Sequence, residues 1–218
     1  VLISQKNLLT ESGNPTKLMK KMLEEGVHKA LYLPDEIPVM MDSGAFQYIG
    51  EEWEELPVTQ EQVLENYRKL GINIGVHLDW PITRRLPEKQ VKIRYRTTLE
   101  NAEIMSESVK NGRYDGLKVM AVTQGLSPSM HRKCAIKYVK LGYKLIGVGG
   151  LAPIAAHTDE VMERVEAVVS AVSDRDVKIH LFGIGNINVL KQAIQRGISS
   201  FDNATPTMAA IKGDLILC

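Results

Sequence analysis

The chain has 218 residues, 44% hydrophobic and 24% charged, the profile of a soluble globular protein rather than a disordered tail. Its 27 Lys and Arg stand against 26 Asp and Glu, a formal charge of +1, so no overall positive field holds it on a polyanion and nucleic-acid contact needs a local basic patch. Two cysteines, Cys134 and Cys218, make neither a disulfide framework nor a four-ligand zinc site and suit a reducing cytoplasm, and no run approaches the roughly 18 apolar residues of a membrane span.

Eight short apolar or β-branched runs follow one another along the chain: residues 1–4, 30–33, 38–42, 73–79, 118–124, 144–149, 178–183 and 200–203. Val39-Met40-Met41 and Leu145-Ile146-Gly147-Val148 are apolar on both faces, as strands buried in a parallel sheet are. Helical stretches separate the runs. Thr59 with Gln62 reads as a capping box for a helix ending at Gly71, and Ser127-Pro128 opens one that ends at Gly142. Thr158 can cap a helix to about Val172, and Asn186 or Asn188 one that ends at Gly197. Alternating strands and helices predict an α/β fold with a parallel sheet. Eight strands in so short a chain favour a compact, closed (β/α)8 TIM barrel, and no linker or repeat divides residues 1–218, so a single domain is expected.

Chemistry on a barrel gathers at the C-terminal ends of its strands. Asp42-Ser43-Gly44, Asp79, Thr123-Gln124-Gly125, Gly149-Gly150, Gly183 and Asp202-Asn203 all fall there. A single strand-end aspartate is as often a cap as a catalyst, but three converging carboxylates repel one another and call for a purpose. The glycines fit a phosphate cradle or a flat ligand that needs the backbone close, and spacing does not choose between them.

Other features have plain readings. Cys134 suits a helix core, His77 and His180 the interior of strands, and His28, His131 and His157 helix ends or surface. No His/Cys/Asp spacing suggests a metal. Glu51, Glu52, Glu54 and Glu55 form an acidic loop around Trp53. Arg84, Arg85, Lys89, Lys92, Arg94 and Arg96 bring six positive charges just after Asp79, against Glu88 alone, either a phosphate-contacting ridge or a basic helix face.

Five segments in order resemble the tRNA-guanine transglycosylase family: Asp42-Ser43-Gly44-Ala45-Phe46-Gln47, Thr123-Gln124-Gly125, Gly149-Gly150-Leu151-Ala152, Leu181-Phe182-Gly183-Ile184-Gly185 and Phe201-Asp202-Asn203-Ala204-Thr205-Pro206-Thr207. The resemblance implies a barrel that exchanges a base at C1′ without ATP, metal or redox cofactor. It makes Asp202 the nucleophile and Asp42 the general acid/base. Asp79 would read the N1 and N2 protons of guanine, Gln124 and the Gly150 N–H its O6 edge, and Phe46 and Phe182 would sandwich the ring. Ser43, Gly149, Leu151 and Gly183 complete the substrate-binding set.

Departures from the family sharpen the expectation. The bacterial C-terminal zinc site of three cysteines and a histidine is absent from this sequence, and the family's cysteine and arginine near the nucleophile are Asn203 and Met208. Where the bacterial pattern has a glutamate suited to an aminomethyl base, Pro153-Ile154-Ala155 stands. A neutral 7-cyano-7-deazaguanine fits better. The resemblance then points to the branch that places deazaguanines in DNA, with tRNA as the alternative polymer and a catalytically silent base-binding subunit as another. With the cysteine usage and the lack of an apolar span, a cytoplasmic protein off the membrane is expected, as a homodimer or with a helper protein. An unrelated barrel holding a sugar phosphate on its glycines would leave Gln124 and the two phenylalanines without a task.

Overall fold

The structure is a computed structural model, and it describes residues 1–8, 14–50 and 52–213, without the side chains of Asn7 and Thr205. Glu51 of the acidic run and Cys218 lie outside the described residues. Seven strands form one sheet: β1 (Leu2–Ser4), β2 (Met40–Asp42), β3 (Ile74–Val76), β4 (Lys118–Thr123), β5 (Leu145–Val148), β6 (Lys178–Leu181) and β7 (Ser200–Phe201). Each pairs in parallel with the next in chain order. Helices α1 (Lys17–Glu25), α2 (Val27–Ala30), α3 (Gln60–Leu70), α4 (Glu88–Lys110), α5 (Pro128–Leu141), α6 (Thr158–Val172), α7 (Ile187–Gln195) and α8 (Thr205–Lys212) connect them.

The expected closed eight-stranded barrel is not what forms. The sheet curls far enough for residues of all seven strands to line one concavity, including Leu2, Met40, Ile74, Met120, Leu145 and Phe201. Among the described residues, however, β1 and β7 do not pair, so the barrel is partial. The missing strand is the one expected at residues 30–33. That run instead ends α2: the Leu31 N–H donates to Val27 O, Tyr32 sits in the left-handed region at φ 55°, and the Leu33 N–H returns to His28 O. A four-residue apolar run carries too little periodicity to separate a buried helix end from a strand.

Elsewhere local chemistry sets the boundaries. The Thr59–Gln62 capping box opens α3 and Gly71, left-handed, closes it. Ser127 caps α5 with Pro128 at its first position, and Gly142 ends it in the left-handed region. Asn186 Oδ1 accepts from the N–H groups of Asn188 and Val189 to open α7. In α6, by contrast, Thr158 is already helical and His157 precedes it without a side-chain cap. The core lies between the sheet's outer face and the helices, as Met41, Val63, Leu64, Tyr67 and Leu78 on one side and Ile146, Val148, Val161, Val165 and Leu181 on the other. Cys134 is part of the second group. No helix among the described residues is long and apolar enough to cross a membrane.

Arg94 departs from the expected basic ridge. It is fully buried in α4, stacked 4.7 Å from the Trp80 ring, and its guanidinium donates to the carbonyls of Tyr48, Ile49, Gly50 and Pro81. It thereby ties the loop after β2 to the loop after β3. Arg94→Met would keep the volume but leave four carbonyls without that donor, so about 3 kcal/mol or more of stability should be lost, against under about 0.5 kcal/mol for Lys89→Ala on the exposed face. Equal denaturant midpoints for the two variants would contradict this role.

Candidate active site

A cavity of about 340 Å³ opens at the C-terminal ends of the strands, at the small end of the range of ligand pockets. Asp42 and Asp202 both line it, with Ser43, Phe46, Asp79, Gln124, Gly149, Gly150, Leu151, Phe182 and Gly183. Six consecutive strands deliver these residues from their ends, β2 through β7, so a parallel sheet brings together groups spread over 160 positions between Asp42 and Asp202.

Asp42 ends β2 in register with Ser4 of β1, whose hydroxyl donates to its Oδ1 at 2.8 Å. The Gly44 N–H donates to the same oxygen at 2.5 Å. That turn requires glycine: φ is +73°, and a Cβ there would lie 2.8 Å from the Lys6 backbone nitrogen. Burial raises the Asp42 carboxyl above the ordinary carboxylate range and the charge of Asp202 adds to it, while Ser4 and Gly44 oppose the shift. A carboxyl poised this way can hold and return a proton.

Asp79 lies beyond β3, and Gln124, beyond β4, donates from Nε2 to its Oδ2 at 2.7 Å. Desolvation pushes Asp79 up to about 6; the Gln124 bond lowers it and the Asp42 charge raises it. Gln124 Oε1 accepts from the Ile82 N–H at 3.4 Å, which fixes the amide's orientation. Just behind it His131, expected at a helix end or the surface, sits in the first turn of α5 but is buried between Thr123 Oγ1 (2.8 Å) and Gly125 O (3.2 Å), and burial lowers it to about 4. Opposite, Arg164 donates to the carbonyls of Gly150 and Leu126 and pairs with Glu160 at 2.7 Å, pinning the glycine turn after β5.

Phe46 stands 61% exposed at the cavity mouth, whereas Phe182 is half-buried. The Phe182 ring occupies space that a side chain at position 147 would take, since a Cβ on Gly147 would meet it at 2.3 Å. Asp202 follows β7. Its Oδ1 accepts from the Gly183 N–H at 3.0 Å and lies 3.2 Å from His180 Nε2. Ser4, His180 and Arg164 were not singled out as site residues from the sequence. The signal for Ser4 was its polar position at the end of the first apolar run; His180 looked like an interior residue and is one, but its partners are Ser200 and Asp202.

The basic stretch is partly neutralised, once from a distant helix and twice within α4. Arg84 pairs with Glu160, Lys92 with Glu88 and Arg96 with Glu100. Among the described residues, no carboxylate pairs with Arg85 or Lys89. Arg84 and Arg85, with His157 and Arg164, border a second cleft of about 710 Å³ that shares Ile82, Thr83, Gly150 and Pro153 with the first. No group of three or more His, Cys, Asp or Glu among the described residues is disposed to hold a metal ion.

A family model described as queuine tRNA-ribosyltransferase matches residues 3–217. The tRNA-guanine(15) transglycosylase of Thermococcus onnurineus is 29% identical over 199 residues, covering 89% of this chain and 32% of the relative. That of Methanopyrus kandleri is 30% identical over 190 residues, covering 86% and 39%. A DNA-guanine transglycosylase of Salmonella montevideo is 26% identical over 199 residues, covering 88% and 46%. The chain thus spans about a third to just under half the length of these relatives.

Proposed function

Because the chain belongs to the queuine tRNA-ribosyltransferase family, we propose that it exchanges guanine in a nucleic acid for a free 7-deazaguanine through a covalent intermediate on Asp202. The observation that carries this reading is the convergence of Asp42, Asp79, Gln124, Asp202, Phe46 and Phe182 on one small cavity. Asp202 attacks C1′ from the face opposite the base, the C1′–N9 bond breaks, and Asp42 gives its proton to the departing guanine. Asp42, now a carboxylate, takes the N9 proton of the incoming base, whose nitrogen displaces the Asp202 ester. Two inversions give retention, and no net proton is gained or lost.

The base is read by complementarity. Guanine offers two adjacent donors, N1–H and N2–H, to the Asp79 carboxylate, whereas adenine has no such pair. The O6 edge faces Gln124 and the Gly150 N–H, which turns position 7 toward Leu151, Ala152 and Pro153. Among the described residues no carboxylate lines that wall, so a cationic aminomethyl group would be buried unpaired and a neutral nitrile is the better substituent. The preferred base is therefore 7-cyano-7-deazaguanine. DNA is the preferred polymer, with the Salmonella DNA-guanine transglycosylase and the Asn203 and Met208 departures in support. Exchange in tRNA is the second reading, supported by archaeal relatives at 29 and 30% identity. Arg84 and Arg85 on the adjoining cleft, with Lys89, Lys92 and Arg96 further along α4, are the contacts proposed for the polymer backbone, helped by a second subunit or another protein.

Incubation with labelled 7-cyano-7-deazaguanine and single-stranded DNA, duplex DNA or tRNA tests the proposal. Label is expected in DNA. Label in tRNA alone would favour the second reading, and none in any polymer would contradict exchange.

The pH dependence of base binding follows from Asp79. Its ionised form accepts the two guanine protons, and in the empty cavity it titrates near 6. Guanine affinity should be full above that value and fall about tenfold per pH unit below it. Calorimetry with guanine should show roughly tenfold weaker binding at pH 5 than at pH 8. A flat profile would remove Asp79 from the reading edge.

A further inference from the structure

We infer that His180 is a positioning residue that fixes which oxygen of Asp202 attacks, an inference that rests on the reading of Asp202 as the nucleophile. His180 is 2% exposed, in the middle of β6. The register pairs it with Ser200 on β7, and Asp202 lies two positions beyond Ser200, on the same side of the chain. The imidazole reaches both: Nδ1 is 2.8 Å from Ser200 Oγ, and Nε2 is 3.2 Å from Asp202 Oδ1.

An ionised carboxylate can only accept, so Nε2 carries the ring proton in this contact. Nδ1 is then open to the Ser200 hydroxyl, which donates to it. The ring is held from the side as well, packed edge-on against Phe182 with centroids 4.5 Å apart. Oδ1 of Asp202 thus receives two donors, His180 Nε2–H and the Gly183 N–H, while Oδ2 has no hydrogen bond among the described residues.

Two donors on one oxygen stop the carboxylate from rotating and leave the other oxygen as the attacking atom. When the Oδ2–C1′ bond forms, Oδ1 becomes the ester carbonyl oxygen. When the incoming base displaces the ester, charge returns to the carboxylate, and the same donors stabilise it as a leaving group. Ser200, His180 and Asp202 form a hydrogen-bonded chain in which the acid, not the hydroxyl, reacts. Phe182 joins this chain to the wall of the base cavity.

The test compares the full chain with His180→Phe, which keeps a ring but loses both nitrogens, and His180→Gln, which keeps an amide N–H at about the reach of Nε2. Three quantities are measured: the single-turnover rate of adduct formation with DNA and tRNA, the dissociation constant of guanine, and the ¹⁵N shifts of the imidazole. His180→Phe should slow adduct formation about 100-fold, with guanine affinity changed less than about twofold, and His180→Gln should recover at least about tenfold of the rate. The shifts should place a proton on Nε2. Adduct formation by His180→Phe at the unaltered rate would overturn the inference, as would parallel loss of guanine binding in both variants, the mark of a merely structural residue. A ring protonated on Nδ1 alone would overturn it while leaving the exchange reading standing. Failure of the unaltered chain to form any adduct would overturn both.

Discussion

Asparagine in place of Asp202 is expected to lower guanine exchange by about 10⁴-fold or more while changing guanine affinity little. The substitution keeps the size of the side chain and an oxygen that accepts from the Gly183 N–H and His180, so the cavity wall should persist. What disappears is the charged oxygen that forms the bond to C1′, and loss of a covalent nucleophile typically costs a factor of that order. Release of labelled guanine from prelabelled nucleic acid measures the first quantity and calorimetry the second. Residual exchange within about tenfold of the unaltered chain would mean that another group attacks the sugar.

Asp79→Asn should have the second largest effect. A site built to accept two guanine protons loses the charge and gains a donor of its own, which faces a donor on the base. Penalties of this kind range from about 10² to 10⁴ in kcat/KM, because buried polar groups are left unmatched. The same variant should make the empty protein more stable, and the sign follows from the pKa. Asp79 is raised from 3.8 to about 6. Its stabilising contribution is therefore complete below the unfolded value and lost as pH rises through 6. Above pH 7 the fold holds a charge that costs on the order of 1–3 kcal/mol, which asparagine removes. Thermal unfolding at pH 8 should move up by several degrees in Asp79→Asn, and at pH 4 it should barely move. A lower midpoint at pH 8 would show that the carboxylate supports the fold.

The strand ends were legible because apolar runs stop abruptly at Asp42, Asp79, Gln124, Gly149 and Asp202, and a parallel sheet turns such endings into one rim. Strand count was less legible. Residues 30–33 match a strand in composition, but Gly26 starts a short helix just before them and Tyr32 turns the chain back. Arg94 was missed for a different reason. Its neighbours in the sequence are cationic, yet on α4 it heads a buried stripe with Thr98, Asn101, Ala102 and Met105. That stripe has helical spacing but is largely polar, so hydrophobic periodicity does not reveal it. The roles of His131 and His180 depend on which side chains the sheet places opposite them. His180 meets residues 20 and 22 positions away, a contact set by the β6–β7 register rather than by local pattern.

The most direct test is to quench the reaction in denaturant, digest the protein with trypsin and the nucleic acid with nuclease, and locate the retained nucleotide by mass spectrometry. Cleavage after Arg196 and Lys212 isolates residues 197–212, which contain Asp202 as their one carboxylate. An abasic sugar attached to that peptide through Asp202, and released by free 7-deazaguanine before the quench, is the expected result. A sugar on any other peptide, or turnover with no attachment at any residue, would contradict a nucleophilic Asp202 at the heart of this cavity.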